Sequence, residues 1–176
     1  MDTTFTLSDA EKQACISNSD ISYTDSDMNR TPSQQNEDSL VGEIAELVTN
    51  KFLIRHSVSI DEPESYKYDV LAGGSTRIEV KGRKCWNFSN PDLLVRTKFD
   101  LAADVYLQVN LHTIDGEYLL SDLSNLGVVE LMGYVTAEEV HEYGSSFNEH
   151  LEEKENDTVI IDRNDLNPIP QLFLEL

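Results

Sequence analysis

Basic residues are scarce in this chain. Thirteen Lys and Arg face 33 Asp and Glu, which gives a net charge of −20 and a pI near 4.3. Such acidity favours solubility and disfavours non-specific contact with nucleic acid or anionic membrane. It fits a salt-rich cytoplasm, where repulsion is screened over about 3 Å at 1 M salt, and it equally fits an acidic protein-interaction or DNA-mimic protein. Cysteine is nearly absent. Cys15 and Cys85 lie far apart, no C-x-x-C exists, and His141 and His150 are the nearest pair among four histidines. That excludes a disulfide framework and a zinc module, and it reads as reduced thiols with surface histidines. No apolar run approaches the ~18 residues of a membrane span. The N-terminus is acidic and has no apolar core segment, so neither a secretory leader nor a membrane partner is expected. The expected location is cytoplasmic.

Apolar residues are also few in residues 1–37, where SNSDISYTDSDMNRTPSQQNED is dense in Ser, Asp, Asn, Thr and Gln. This stretch reads as a disordered tail that could dock a protein partner, with a short helix near Ser8–Ile16 as the alternative. From residue 38 to 176 the pattern is that of a single α/β domain. Leu40, Val41, Ile44, Leu47 and Val48 recur at helical spacing behind Asp38 or Ser39 as cap. IRHSVSI alternates like a strand, YKYDVLA and RIEVKGR flank a Gly-Gly turn, and CWNFSNPD is a loop. DLLVRTKF is a short strand or helix. DVYLQVNL and VVELMGYV are strands, and TAEEVHEYG is a helix capped by Thr136 and stopped by Gly144. HLEEKEND is a solvated charge run, and PQLFLEL returns to the core.

The chemistry concentrates in YDVLAGGSTRIEVKGRK, residues 68–84. Side chains alternate along a strand, so Ile78 and Val80 face the core while Glu79 and Lys81 face the other way. A three-residue loop of Gly73, Gly74 and Ser75 pairs Ala72 with Thr76 and, counting back, Asp69 with Glu79, their Cβ atoms about 5 Å apart. A two-residue Gly-Gly turn would pair Asp69 with Ile78 instead. Two facing carboxylates repel unless something positive sits between them. Mg²⁺ is commonly held by one or two carboxylates, with water and phosphate in its remaining positions. A lysine two residues on can orient or deprotonate a water and stabilise charge at phosphorus.

Asp69 followed by Ile78-Glu79-Val80-Lys81 resembles the signature of the PD-(D/E)xK, or restriction-endonuclease-like, nuclease superfamily. The nearest likeness is to the archaeal Holliday-junction resolvase branch and phage-type nucleases. The resemblance covers roughly residues 39–111; Tyr68 stands where Pro is frequent. It implies a core of helix, three strands, helix and strand, with a mixed central sheet. It also implies a DNA endonuclease that uses Mg²⁺ or Mn²⁺, leaves 5′-phosphate and 3′-hydroxyl ends, and can be structure-specific. Asp69 and Glu79 would be the metal ligands and Lys81 the catalytic base or stabiliser. The family places a glutamate on the first helix in a G-x-x-x-E pattern, matched by Gly42 to Glu46. Periodicity instead favours Glu43, roughly 100° from the apolar centre, over Glu46 at roughly 160°. Both are carried as candidate catalytic residues.

Charge distribution points the same way. Residues 77–98 hold six basic residues and two acids, while the other 154 hold seven basic and 31 acidic. Arg77, Arg83, Lys84, Arg96 and Lys98 are candidate phosphate contacts. Trp86 and Phe88 can stack on a base, although burial is the more usual fate of a lone tryptophan. A symmetric homodimer suits an enzyme that cuts two strands. The other readings are a non-catalytic nucleic-acid-binding or assembly module on the same fold, and the acidic interaction protein.

Overall fold

The computed structural model describes residues 1–19, 31–63, 68–86, 91–96, 101–116, 118–148 and 158–176. It is α/β: a mixed six-stranded sheet flanked by helices, with a two-stranded sheet beside it. The elements are β1 (Thr4–Phe5), α1 (Asp9–Ser19), α2 (Pro32–Arg55), β2 (Ile60–Asp61), β3 (Val70–Ala72), β4 (Thr76–Cys85) and β5 (Leu93–Arg96). They continue with β6 (Val105–Thr113), β7 (Leu126–Thr136), α3 (Ala137–Asn148) and β8 (Thr158–Ile161), and short 3-10 helices end the chain. The large sheet runs β1-β7-β6-β4-β3-β2; β4 and β6 are parallel, and every other pair is antiparallel. The crossover that a parallel pair requires contains β5, which leaves the sheet to pair with β8. The resemblance called for a helix there; among the described residues of the crossover there is only β5.

Two apolar clusters cover the two faces of the sheet. On one face, Leu40, Val41, Ile44, Val48 and Phe52 of α2 and Cys15 of α1 pack on Ile78, Val80, Leu107 and Val109. On the other, Tyr68, Tyr106 and Val135 meet Leu93 and Val95 of β5, Val140 of α3, and Val159 and Ile161 of β8. Strand β6 serves both faces. Val105, Leu107, Val109 and Leu111 point to the helices, which leaves Tyr106, Gln108 and Asn110 on the opposite face.

The N-terminal expectation is corrected. Residues 1–19 are not a disordered tail: β1 pairs with β7, and Phe5, Leu7 and Cys15 are buried. The sequence signal was a capping box. Ser8 N–H donates to Glu11 at 2.8 Å, and Glu11 N–H donates back to Ser8 Oγ at 3.4 Å. Glu11 also receives Lys51 of α2; that bond, with those from Ser8, brings its pKa down to about 2. Phe5 lies under the Arg55 guanidinium, 4.6 Å from ring to cation. Phe5→Ala is therefore expected to cost about 3–5 kcal/mol in a urea unfolding titration, where a loose tail would tolerate it.

Helix α2 begins six residues before Asp38. Thr31 caps it, with Gln34 closing a capping box and Pro at the first turn. It runs on through Arg55, so of the expected IRHSVSI strand only Ile60 pairs, in β2 with Asp61. Thr136 caps α3 as expected, in a box with Glu139 at 2.7 and 3.3 Å, but Gly144 does not stop it. The end of the chain returns to the core through Ile169 and Leu172. The charge run HLEEKEND lies outside the described residues. Among the described residues no helix is long and apolar enough to cross a membrane.

Candidate active site at the fork of β3 and β4

The hairpin adopts the three-residue loop. Ala72 pairs with Thr76, Leu71 with Arg77 and Val70 with Ile78. Gly73 and Gly74 sit at φ 60° and 80°, where a side chain is strained. A Cβ on Gly73 would also stand 2.8 Å from the Leu176 carbonyl oxygen. The ladder ends at Val70 and Ile78, one residue short of the counted Asp69–Glu79 pair. There β3 leaves β4. The Asp69 N–H still donates to Ile78 O at 2.9 Å, and its carboxylate accepts the Val80 N–H at 2.7 Å. The aspartate thus satisfies a backbone donor that a longer β3 would have paired.

Beyond the fork, β4 presents Glu79, Lys81 and Arg83 on the face away from α2. Their neighbours on β6, in register, are Tyr106, Gln108 and Asn110. Lys81 Nζ is ion-paired with Glu79 Oε1, both half-buried. Burial first, then the Glu79 charge, raises the Asp69 pKa to about 6 against the opposing Val80 N–H and Lys81. Burial and Glu79 push Tyr106 to about 12.

Glu46 belongs to the same cluster. Burial, then Asp69, Glu43 and Glu79, raise its pKa to about 8. The angular reading that put Glu46 in solvent is corrected: Glu46 is half-buried, and Asp69 and Glu79 at the fork act on it. Glu43 takes the α1 side. It accepts Asn18 Nδ2 at 3.3 Å, and its charge helps burial raise the Cys15 thiol to about 11. The approach of α2 rests on Gly82. A Cβ there would lie 2.7 Å from Val41 Cγ1 and 2.9 Å from Val41 O. Gly82→Ala is expected to cost about 1–3 kcal/mol and to move Glu46 away from the fork; thermal unfolding and the Glu46 carboxyl NMR titration check both.

The basic residues are largely occupied. Arg77 grips Asp104 with Nε at 2.9 Å and Nη2 at 2.5 Å, which lowers the Asp104 pKa. Lys84 pairs with Glu37 of α2 at 2.7 Å and stands 5.6 Å from the Tyr118 ring. Arg83 is half-buried and makes no ion pair among the described residues; burial lowers its pKa, and Asp92 opposes that. Trp86 is 42% exposed rather than buried. Arg96 ends β5, and Phe88 and Lys98 lie outside the described residues. Tyr106, Gln108 and Asn110 were not singled out from sequence. The polar positions alternating through DVYLQVNL carried the signal.

The donor set suits a hard cation in chemistry. Among the described residues no three His, Cys, Asp or Glu groups are placed to hold an ion together. The Lys81 ammonium stands on Glu79 and supplies the positive charge. Mg²⁺ needs only one or two carboxylates; the carboxyls of Asp69 and Glu46 are raised first by burial and then by neighbouring acids. Comparison of the chain with protein-family models, with curated proteins and with solved structures gives no match in any of the three.

Proposed function

We propose that this protein is a divalent-metal-dependent endonuclease of restriction-endonuclease-like fold, hydrolysing phosphodiester bonds in DNA. One observation carries the reading: the fork of β3 and β4 gathers Asp69, Glu79, Lys81 and Glu46, four residues from three separate elements. Structural carboxylates are seldom gathered against their own repulsion, and perturbed acids of this kind are enriched at functional sites. The order of α2, three antiparallel strands, a crossover and a strand parallel to β4 supports the same fold.

Asp69 and Glu79 would hold Mg²⁺ or Mn²⁺. That ion supplies a more acidic water and neutralises charge on the phosphoryl oxygen. Asp69 is fixed for this by the Val80 N–H, which leaves its second oxygen for a ligand. Lys81, ion-paired with Glu79, orients the attacking water or donates to the phosphoryl oxygen. Arg83, with no ion pair of its own among the described residues, is the first choice for a neighbouring phosphate, and exposed Trp86 for a base.

The test is incubation of plasmid and branched DNA with the protein and Mg²⁺ or Mn²⁺, with EDTA as control. Metal-dependent nicking with 5′-phosphate ends supports the proposal; intact DNA at every salt concentration sinks it. A second reading, a non-catalytic module on the same fold, is favoured by the internal pairing of Arg77, Lys81 and Lys84, which lowers the charge offered to DNA. It predicts metal-independent binding without cleavage.

A further inference from the structure

Gln108 lies at 0% exposure in the middle of β6. Its Nε2 donates to Pro91 O at 2.8 Å and to Asn110 Oδ1 at 2.9 Å, while its Oε1 has no hydrogen-bond partner among the described residues. A buried acceptor left unmatched is costly and uncommon. The amide cannot be turned round to cure this, because Pro91 O is an acceptor and requires the N–H₂ end. Asn110 Nδ2 beside it is also unmatched among the described residues, but turning both amides to pair them would set Gln108 Oε1 against Pro91 O.

Lys81 is the register partner of Gln108 on the adjacent strand, about 4.8 Å away between backbones, and on the same face. An ammonium carries three donors; its ion-pair acceptor here is Glu79. A divalent cation on Glu79 would compete with that pair, since two cations on one carboxylate repel. The ammonium then needs another acceptor within reach of its flexible stem.

We infer that Gln108 is a positioning residue for Lys81: its Oε1 receives the Lys81 ammonium when Glu79 engages a divalent cation. The inference rests on the assignment of Asp69, Glu79 and Lys81 given above. It adds a role for a buried amide that touches neither the cation nor the substrate. Pro91 and Asn110 fix the amide, so the lysine is delivered to one place rather than left free in solvent.

The experiment follows the Gln108 side-chain amide signal by NMR in the full chain, alongside the Asp69 and Glu79 carboxyl signals, as Mg²⁺ is added. The expected result is a Gln108 shift that saturates with the carboxyl shifts in the wild type and disappears in Lys81→Met. In cleavage assays Gln108→Met is expected to lower kcat about tenfold with KM unchanged; should that variant fail to fold, the wild-type and Lys81→Met spectra decide alone. Carboxyl shifts with an unmoved Gln108 signal, as a buried water on Oε1 would give, overturn the inference and leave the metal site standing. Carboxyl signals indifferent to Mg²⁺ overturn both.

Discussion

Glu79→Ala and Lys81→Ala are each expected to lower metal-dependent DNA cleavage by about 10³-fold, the scale of a lost acid–base or electrostatic group. The double variant is expected to fall little further, because groups that act as a unit are not additive. Stability should move in opposite directions. Glu79 raises the pKa of both Asp69 and Glu46, so its removal relieves repulsion and raises the melting temperature. Lys81 offsets that repulsion, so its removal lowers it. A variant that is more stable and inactive separates a catalytic role from a structural one. Retention of full cleavage by Glu79→Ala would end the proposed mechanism. Loss of cleavage accompanied by unfolding would point to scaffold rather than chemistry.

The second large effect concerns pH. Glu46 is raised from 4.5 to about 8 and Asp69 from 3.8 to about 6. The folded protein keeps protons that the unfolded chain releases, so stability from these groups is complete below about pH 4 and falls as pH rises. Asp69 loses its share by about pH 6 and Glu46 by about pH 8. One pKa unit is about 1.4 kcal/mol. Discounted for partial exposure, Glu46 is expected to cost the fold about 2 kcal/mol at pH 8. Glu46→Gln removes the charge and keeps the shape. It should match the wild type at pH 4.5 and melt about 4–8 °C higher at pH 8. Mg²⁺ should return part of that difference to the wild type. Melting curves of the two proteins that stay parallel from pH 4.5 to 8 would show that neither burial nor the neighbouring acids raise Glu46.

Much of the hairpin was legible because its determinants are local. Loop length fixes register, Gly73 and Gly74 take the positive φ values, and alternation sends Glu79 and Lys81 to one face. The alternation in β6 was equally open, yet Gln108 and Asn110 were passed over because polar positions in a strand usually mean solvent. Here β5, β8 and the crossover cover that face, a fact of long-range pairing that no local window contains. The same holds for DLLVRTKF, whose strand character comes from β8. Glu46 was misplaced by an angular argument that centred the buried face on Leu40 and Ile44 alone, whereas Asp69 and Glu79 at the fork act on the helix beyond that stripe. The first nineteen residues failed for a different reason. Average composition hid three apolar side chains, Phe5, Leu7 and Cys15, each of which is buried. The basic cluster was counted as charge available to a polyanion; counting could not show that Asp104 and Glu37 would come from distant segments to meet it, or that Lys81 would turn to its neighbour Glu79.

The sheet carries a separate apolar cluster on each side, and these clusters share strands but no side chains. Such a layout divides cooperativity. The β5–β8 ribbon with α3 can detach as a subglobal unit while the helical side keeps its packing, and amides of β4 and β6 would exchange last because both halves must release them. Detachment of the ribbon would wet Gln108 and Asn110 without dismantling the support that α2 gives to the carboxylates, so the catalytic scaffold and its cover can respond to temperature or denaturant on different scales.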